Sequence, residues 1–203
     1  EQENTLTPEQ RRQLLQCTNE DAEWLIRIVE NLLSITRINN AEEARVKKVP
    51  EAAEEVIEGA VAKTHKHYPD VDIRVHLPEE LMMVPMDPLL IEQVLVNLME
   101  NAVIHGETRH IDVTLRREGD NAVFTVSDDG RGIPLSLLPR LFDGAARSDR
   151  RSDGKRSMGI GLSVCRTVVQ AHGGVIRGEN KREGGACFTV TLPMKGDDNE
   201  DQR

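Results

Sequence analysis

Two neighbouring segments with alternating apolar and polar residues constrain the fold of this chain more than any other feature. Residues 111–117 and 122–128 follow this two-residue period, and only Glu-Gly-Asp-Asn at 118–121 separates them. A short polar connection that contains glycine is typical of a turn. The alternation places apolar side chains on one face of each strand. The two segments therefore predict an antiparallel pair whose apolar face must be covered.

Helices and further strands surround this pair in irregular order. Hydrophobic periodicity predicts helices at 50–67, 88–105 and 161–172, a short helical piece at 134–142, and strands at 73–77, 82–85, 175–179 and 186–192. Gly173-Gly174 is a stop signal for the last helix. Because helices and strands do not alternate regularly, we predict an α+β fold, a two-layer sandwich in which helices cover one face of a mixed sheet.

A long amphipathic helix precedes the sheet-forming part. Thr7-Pro8-Glu9 combines an N-cap hydroxyl, a first-turn proline and a carboxylate near the positive end of the helix dipole. Apolar residues then recur at three- and four-residue steps to about residue 38. Such a wide apolar face predicts pairing with another helix in a bundle or hairpin, and no partner helix is visible in the sequence.

The chain divides into four parts by these patterns. Residues 1–40 carry the helix, 41–49 form a linker, 50–195 form the main domain, and the acidic residues 196–203 are expected to be a disordered tail. A net charge of −9 argues against a nucleic-acid partner, because phosphate binding needs clustered positive charge. No apolar run approaches the roughly 18 residues of a membrane span. A membrane connection is therefore expected only through segments upstream of Glu1.

The three cysteines indicate neither a disulfide framework nor a metal site. Cys17, Cys165 and Cys187 contain no Cys-x-x-Cys pair, so they fit neither a disulfide scaffold nor a zinc site. A reducing compartment is the simple interpretation.

Two asparagines are the first candidates for a binding site. Asn97 and Asn101 lie four residues apart on the helix predicted at 88–105, so both side chains project from one face. Amide oxygens can bind Mg²⁺, a hard cation that shares its ligand shell with water and nucleotide phosphates. Considered alone, such a pair is more often an ordinary solvated helix face.

Two glycine-containing segments extend this pattern. Asp-Asp-Gly-Arg-Gly-Ile-Pro at 128–134 directly follows the second alternating strand. Glycines let a backbone approach a planar ligand, and a buried carboxylate can accept a hydrogen bond from an exocyclic amine. Gly159-Ile160-Gly161 opens a helix after a Gly/Ser/Arg/Asp-rich loop, where backbone amides and the helix dipole favour phosphate. Either segment alone could be an ordinary turn.

Together these segments resemble the ATP-binding domain of sensor histidine kinases, whose fold is shared by the Hsp90, gyrase and MutL ATPases. The shared pattern is Asn-x-x-x-Asn, Asp-x-Gly-x-Gly, a basic loop, Gly-x-Gly and His-Gly-Gly, and it covers residues 50–193. Asn-Leu-Leu-Ser-Ile-Thr-Arg at 31–37 resembles the second helix of the kinase dimerisation and phosphotransfer hairpin. The stretches at 86–92, 100–103 and 183–188 are most similar to the Kdp-type potassium sensor kinases.

The resemblance implies roles for individual residues. Asn101 would coordinate Mg²⁺ with Asn97 beside it, and Asp128 would recognise the amino group of adenine. The catalytic residues would be Asn97 and Arg147, with Arg147 at the γ-phosphate. The other implied nucleotide contacts are Gly130, Gly132 and Ile133 at the adenine pocket, Gly159, Gly161 and Leu162 toward the phosphates, and His105 beside the nucleotide.

Three positions depart from the family pattern. Ile104 stands where the family often has a lysine, Ala145 replaces the second Phe of a Phe-x-x-Phe box, and Ser157 replaces the first glycine of the Gly-x-Gly-x-Gly box. These changes predict weaker anchoring of the loop over the nucleotide and lower ATP affinity. The same loop contains four basic residues, which could supply the lost charge but could equally form an ordinary solvated loop, namely Arg150, Arg151, Lys155 and Arg156.

The resemblance also implies partners. None of the six histidines matches the acceptor pattern Ser-His-Glu/Asp-Leu-Arg-Thr-Pro. The phosphoacceptor histidine is therefore expected on a helix absent from this chain, in a homodimeric, membrane-bound bacterial sensor that passes the phosphoryl group to a response regulator. This domain would lie in the cytoplasm.

Two other functions stay open. An ATPase of the Hsp90 and MutL kind is disfavoured, because the amide of Asn97 stands where those enzymes have a glutamate, and an amide cannot act as a general base. The other alternative is a nucleotide-free interaction module, in which ATP binding has decayed and the fold has survived.

Overall fold

The computed structural model describes residues 7–39, 46–143 and 160–195. Its helices and strands, numbered in chain order, are α1 (Pro8–Asn39), β1 (Val49–Ala52), α2 (Ala53–His67), β2 (Asp72–His76), β3 (Met83–Met86), α3 (Pro88–Asn101), β4 (His110–Glu118), β5 (Asn121–Asp128), α4 (Ile160–Ala171), β6 (Val175–Asn180) and β7 (Ala186–Pro193). A π-helical turn at Ala102–Gly106 follows α3, and a single 3-10 turn occupies Leu138–Arg140.

Five strands form one mixed sheet in the order β2-β4-β5-β7-β6. Strand β2 runs parallel to β4, and the other pairs are antiparallel. The β4–β5 hairpin closes at the pair Glu118 and Asn121, at the ends of the predicted turn. The mixed sheet with helices confirms the α+β class.

The core lies between the sheet and the helices α2, α3 and α4. Alternate residues of the central strands are buried, as the two-residue period predicted, and α3 covers them with an apolar surface. The buried set includes Ile111, Val113 and Leu115 of β4, Ala122, Phe124 and Val126 of β5, and Ile91, Leu95 and Leu98 of α3. The carboxylate of Asp87 fixes where α3 begins, because it accepts from the amides of Leu89 and Leu90.

The predicted helix at 50–67 is wrong in its first residues. Val49–Ala52 is a short strand that pairs with β3 in a separate two-stranded sheet, and α2 begins only at Ala53. Pro50 is accommodated in this strand, because the two-stranded sheet leaves one edge of β1 unpaired. The amide of Ala53 donates to the carbonyl of Met82, the residue before β3, at 2.9 Å. This bond fixes the junction between β1 and α2.

Two other predicted helices are shorter than expected. Helix α3 ends at Asn101, and the last residues predicted for it form the π-turn instead. Glu107 then adopts a left-handed φ of 56°. Of the piece predicted at 134–142, only the 3-10 turn at Leu138–Arg140 is helical. Pro139 contributes to this, because a proline has no amide hydrogen and cannot donate the helical bond to the preceding turn.

Helix α1 has the length that the sequence predicted. The Thr7 hydroxyl accepts from the Gln10 amide at 3.2 Å, while the Gln10 side chain accepts from the Thr7 amide at 3.0 Å, which is a reciprocal cap. Helix α1 contacts α4, a partner that the sequence did not indicate. Apolar side chains of α1 nevertheless stay more than half exposed, namely Leu14, Leu15, Leu25, Ile26 and Val29.

Some predictions lie outside the described residues. These are residues 41–45 of the linker expected at 41–49, and the acidic tail at 196–203. Within the described ranges, none of the helices combines the length and the apolar character that crossing a bilayer requires.

A buried histidine joins the end of α4 to the start of α3. His172 has 0% exposure and directly follows α4. Its Nδ1–H donates to the Val168 carbonyl at 2.7 Å, and its Nε2 accepts from the Asp87 amide at 3.0 Å. These two bonds require a neutral ring. Burial lowers the pKa of His172 below its usual 6.5, and Lys48 adds to this effect, while the Val168 bond and Asp87 oppose it.

Acid should therefore destabilise the fold through His172. Because the folded-state pKa lies below the unfolded-state value, the contribution is complete above about pH 6.5 and is lost as the pH falls below it, by up to about 1.4 kcal/mol per pH unit. His172→Gln keeps an acceptor for the Asp87 amide and cannot titrate. Urea unfolding from about pH 7.5 to 5 should give a smaller pH slope for this variant. Equal slopes would contradict the assignment.

Candidate functional site

Asp128 lies where β5 ends and the turn after α3 meets the β6–β7 turn. Its side chain is only 3% exposed. The oxygen Oδ1 accepts from the Gly130 amide at 2.9 Å and from the Ala186 amide at 3.2 Å. Both of these bonds go to the same oxygen, so Oδ2 is the atom that can meet a ligand. An ionised carboxylate only accepts hydrogen bonds, and Oδ2 therefore suits a donor such as an amine.

The loop after Asp128 rests directly on the π-turn. A Cβ on Gly130 would lie 2.3 Å from the Gly106 carbonyl oxygen, so only glycine fits there. The same carbonyl accepts from the Arg131 amide at 3.0 Å, and Arg131 Nε donates to the His105 carbonyl at 2.6 Å. These contacts join the end of α3 to the Asp-x-Gly-x-Gly segment. The side chain of His105 itself is half-buried in the π-turn.

A second close approach fixes Gly132 and Ile133. Gly132 has a φ of 74°, and a Cβ there would lie 2.8 Å from Asn180 Oδ1. Asn180 Oδ1 accepts from the Ile133 amide, and Asn180 Nδ2 donates to the Ile133 carbonyl, both at 2.7 Å. The side chain of Ile133 packs against the core. Sequence reasoning selected Gly132 and Ile133 but missed Asn180.

The β6–β7 turn presses against Asp128 from the other side. Gly185 has a φ of 83°, and a Cβ on it would lie 2.0 Å from the Asp128 carbonyl oxygen. Its neighbour Gly184 also has a positive φ, at 99°, but a Cβ there would meet nothing within 4 Å. The Gly-Gly pair was visible in the sequence. Its contact with the Asp128 backbone is the reason that the second glycine is required.

The two asparagines of α3 have different environments. Asn97 is only 5% exposed, which excludes a solvated helix face for this residue. Its side chain forms a hydrogen bond with the buried thiol of Cys165. Burial raises the pKa of that thiol to about 12. Asn101 is half-buried, and its Nδ2 donates to the Asn97 backbone carbonyl at 2.7 Å. This bond turns the amide so that Oδ1 is the atom available as a ligand.

The first turn of α4 lies beside Asn97. A Cβ on Gly161 would lie 4.0 Å from Asn97 Oδ1, and Leu162 packs against the core. The amides of a first helical turn have no partners within the helix and attract anions. The structure thus brings Gly161, Asn97 and Asn101 to one region, next to the π-turn that contacts the Asp128 loop.

Several sequence candidates lie outside the described residues. These are Arg147 and Gly159, the departures Ala145 and Ser157, and the basic residues Arg150, Arg151, Lys155 and Arg156. The third departure, Ile104, lies in the π-turn and is half-buried. In the ranges that the structure describes, no three His, Cys, Asp or Glu side chains are grouped so that they could hold a metal ion. A cation at this site would depend on amide oxygens.

Comparisons with known proteins agree on one family. Residues 86–196 match the family model described as histidine kinase-, DNA gyrase B-, and HSP90-like ATPase. The chain is 39% identical over 193 residues to the sensor protein KdpD of Clostridium acetobutylicum, which is 94% of this chain and 21% of KdpD. The chain therefore spans about a fifth of the length of that curated relative.

Solved structures extend the comparison. The catalytic domain of the histidine kinase ThkA has a TM-score of 0.62 at 25% identity, covering 73% of this chain and 97% of that domain. ThkA in complex with the response regulator protein TrrA has a TM-score of 0.72 at 22% identity, covering 95% of this chain and 54% of ThkA. At 22% identity, this second likeness shows a shared fold.

Alanine at Gly185 should destabilise the fold more than alanine at Gly184. Both substitutions place a side chain at a positive φ, which costs about 1–2 kcal/mol. Only Gly185→Ala also drives a Cβ into the Asp128 backbone, which adds about 1–3 kcal/mol of overpacking. Urea unfolding of the two variants measures the difference, because the strain from φ is common to both. Equal losses would show that the close approach at Gly185 is relieved without cost.

Proposed function

This chain belongs to the histidine kinase-, DNA gyrase B-, and HSP90-like ATPases, and we propose that within this family it donates the γ-phosphoryl group of Mg-ATP to a histidine. Its catalytic fold is that of the sensor histidine kinases. The observation that carries the proposal is Asp128, a nearly buried carboxylate with one oxygen bound by two backbone amides and the other left for adenine.

Asp128 would select adenine by hydrogen-bond chemistry. Adenine presents an exocyclic amine, which donates to Oδ2, whereas guanine presents a carbonyl at the same position of its ring. A carbonyl opposite a buried carboxylate would leave both acceptors without a donor, at a cost of about 1–3 kcal/mol. Gly130, Gly132 and Ile133 would form the adjacent walls, because their backbones are held in place by the π-turn and by Asn180.

The phosphates would lie toward the first turn of α4 and the end of α3. Asn101 presents an amide oxygen, which is a ligand type that Mg²⁺ accepts. Bound Mg²⁺ would neutralise the charge on the phosphate oxygens. Asn97, Gly161 and Leu162 surround this region, and His105 is half-buried at its border. By the family pattern, Gly159 and Arg147 complete the phosphate contacts.

Phosphoryl transfer to histidine is favoured over ATP hydrolysis. Hydrolysis needs a base to take a proton from water, and the amide of Asn97 has no accessible basic pKa. A neutral imidazole nitrogen is itself the nucleophile, so the domain needs mainly to orient it in line with the phosphate. A nucleotide-free interaction module is less favoured, because such a module would have no use for the pocket that the glycine contacts form around Asp128.

The proposed transfer reaction requires an acceptor helix and a response regulator as partners. The acceptor is a histidine helix that pairs with α1, whose exposed apolar residues offer a surface for a hairpin and for a homodimer. A response regulator would receive the phosphoryl group, as the complex of ThkA with TrrA suggests by analogy. The domain would act in the cytoplasm, where ATP is available, as part of a membrane-bound sensor of the KdpD type. The net charge of −9 does not favour nucleic acid.

Asp128→Asn should reduce ATP affinity by about fivefold to a hundredfold and change GTP affinity little. The amide oxygen of the new side chain can still accept from Gly130 and Ala186, while its NH2 group takes the place of Oδ2. A donor then opposes the adenine amine, which is also a donor. Calorimetric titration with both nucleotides measures the discrimination. Equal losses for ATP and GTP would indicate that Asp128 acts only through the fold.

Asn101→Ala is the matched control on the phosphate side. It removes the amide oxygen without touching Asp128, so it should abolish the magnesium-dependent part of ATP binding. Affinity for adenosine, which has no phosphates, should remain unchanged. Loss of adenosine binding would show instead that Asn101 supports the adenine side.

The transfer reaction itself can be tested in trans. Incubated with γ-labelled ATP, this chain should neither label itself nor release labelled phosphate. It should, however, label a supplied hairpin that carries an acceptor histidine. Transfer should be slow, because without a covalent connection the encounter of the two parts is bimolecular. A hairpin with alanine at the acceptor position is the control. Label on this chain alone, or brisk phosphate release, would contradict the proposal, and the latter would favour an ATPase.

A further inference from the structure

We propose that Asn180 is a positioning residue for adenine recognition, which acts by holding Gly132 and Ile133 at a fixed distance from Asp128. The inference rests on the proposed function and adds to it a residue outside the Asp-x-Gly-x-Gly segment. Asn180 is the last residue of β6, a strand at the edge of the sheet, and it is exposed. An exposed asparagine at a strand end would ordinarily be solvated.

Both ends of the Asn180 amide are bound to one residue. Oδ1 accepts from the Ile133 amide and Nδ2 donates to the Ile133 carbonyl, each at 2.7 Å. The side chain thereby satisfies the two backbone groups that a neighbouring strand would satisfy in a sheet. Residues 129–137 have left the sheet, so no strand performs this role for them.

Local chemistry leaves Ile133 in need of this support. The following residue is Pro134, which restricts Ile133 to extended backbone and has no amide hydrogen of its own. On the other side, Gly132 takes a positive φ that leaves the chain free to pivot. The two bonds to Asn180 fix the chain between these points. The absence of a Cβ on Gly132 lets the loop approach within reach of the amide.

The geometry of one strand pair then sets the width of the adenine pocket. Asn180 and Ala186 lie directly opposite each other in the β6–β7 ladder. The Ala186 amide donates to Asp128 Oδ1, while the Asn180 side chain holds Ile133. Two opposed residues of one hairpin therefore fix the carboxylate and the loop wall. Loss of Asn180 should release the wall and leave the carboxylate in place.

The test compares Asn180→Ala with the unaltered chain of 203 residues. Affinities for adenosine, ADP and Mg-ATP should all fall by the same factor, about tenfold, because two hydrogen bonds that hold the base pocket are lost. The ratio of ATP affinities with and without Mg²⁺ should not change, since the phosphate side is untouched. In transfer to the histidine hairpin, KM for ATP should rise by the same factor while kcat at saturating ATP stays constant.

Two further variants separate positioning from a general structural role. Asn180→Asp keeps the acceptor for the Ile133 amide but opposes the Ile133 carbonyl with a carboxylate oxygen, so it too should raise KM without lowering kcat. Gln170→Ala removes another exposed amide, on α4, and should behave like the unaltered chain. The thermal midpoint of Asn180→Ala should stay within about 3 °C, as expected for an exposed site whose loss costs little stability.

The outcomes distinguish this inference from the function on which it rests. Failure of the unaltered chain to bind adenosine or ATP would overturn the proposed function. Normal ATP binding by the unaltered chain together with normal adenosine affinity of Asn180→Ala would overturn the role of Asn180 alone. A large fall in the thermal midpoint with a parallel fall in kcat would also overturn it, since those changes mark a general structural role.

Discussion

The site depends on one buried carboxylate whose first oxygen is held by two backbone amides. A charge out of water is costly unless hydrogen bonds surround it, and Asp128 Oδ1 receives them from Gly130 in its own loop and from Ala186 in a different strand. This arrangement binds the end of β5, the loop that follows it and the start of β7 to a single atom. The second oxygen is left for the proposed adenine contact, and the two bonds to the first oxygen hold the carboxylate in a fixed orientation.

Glycine turns this anchor into a pocket, because backbone meets backbone where a Cβ would not fit. Gly130 lies against the Gly106 carbonyl and Gly185 lies against the Asp128 carbonyl. Contacts of this kind set the distances between the surrounding segments without relying on flexible side chains. The motif Asp-x-Gly-x-Gly is therefore a packing requirement as well as a proposed ligand contact, and Gly185 of the β6–β7 turn takes part in the same packing.

What the sequence predicted was local, and what it missed depended on distant contacts. The β4–β5 hairpin and the cap of α1 follow from residues close in sequence, and both predictions were confirmed. The strand β1 was missed because its partner β3 lies some thirty residues away. The π-turn after α3 likewise lies against the loop of Gly130. Asn180 was missed because no local pattern links it to Ile133, while the spacing of Asn97 and Asn101 placed both on α3 without revealing that Asn97 is buried.

Helix α3 connects the two ends of the proposed nucleotide site. Its first turn is tied to the end of α4 through the neutral ring of His172. Its middle lies beside the start of α4, where a Cβ on Gly161 would lie 4.0 Å from Asn97 Oδ1, and the π-turn that follows it supports the Asp128 loop. Helix α4 is thus held against α3 at both of its ends. The first turn of α4, where the phosphates would lie, is therefore next to Asn97. Asn101 donates to the Asn97 carbonyl, so the amide oxygen proposed for the cation lies in the same region. The proposed phosphate and metal parts of the site therefore adjoin each other along α3, whereas the proposed adenine wall also rests on the β6–β7 hairpin.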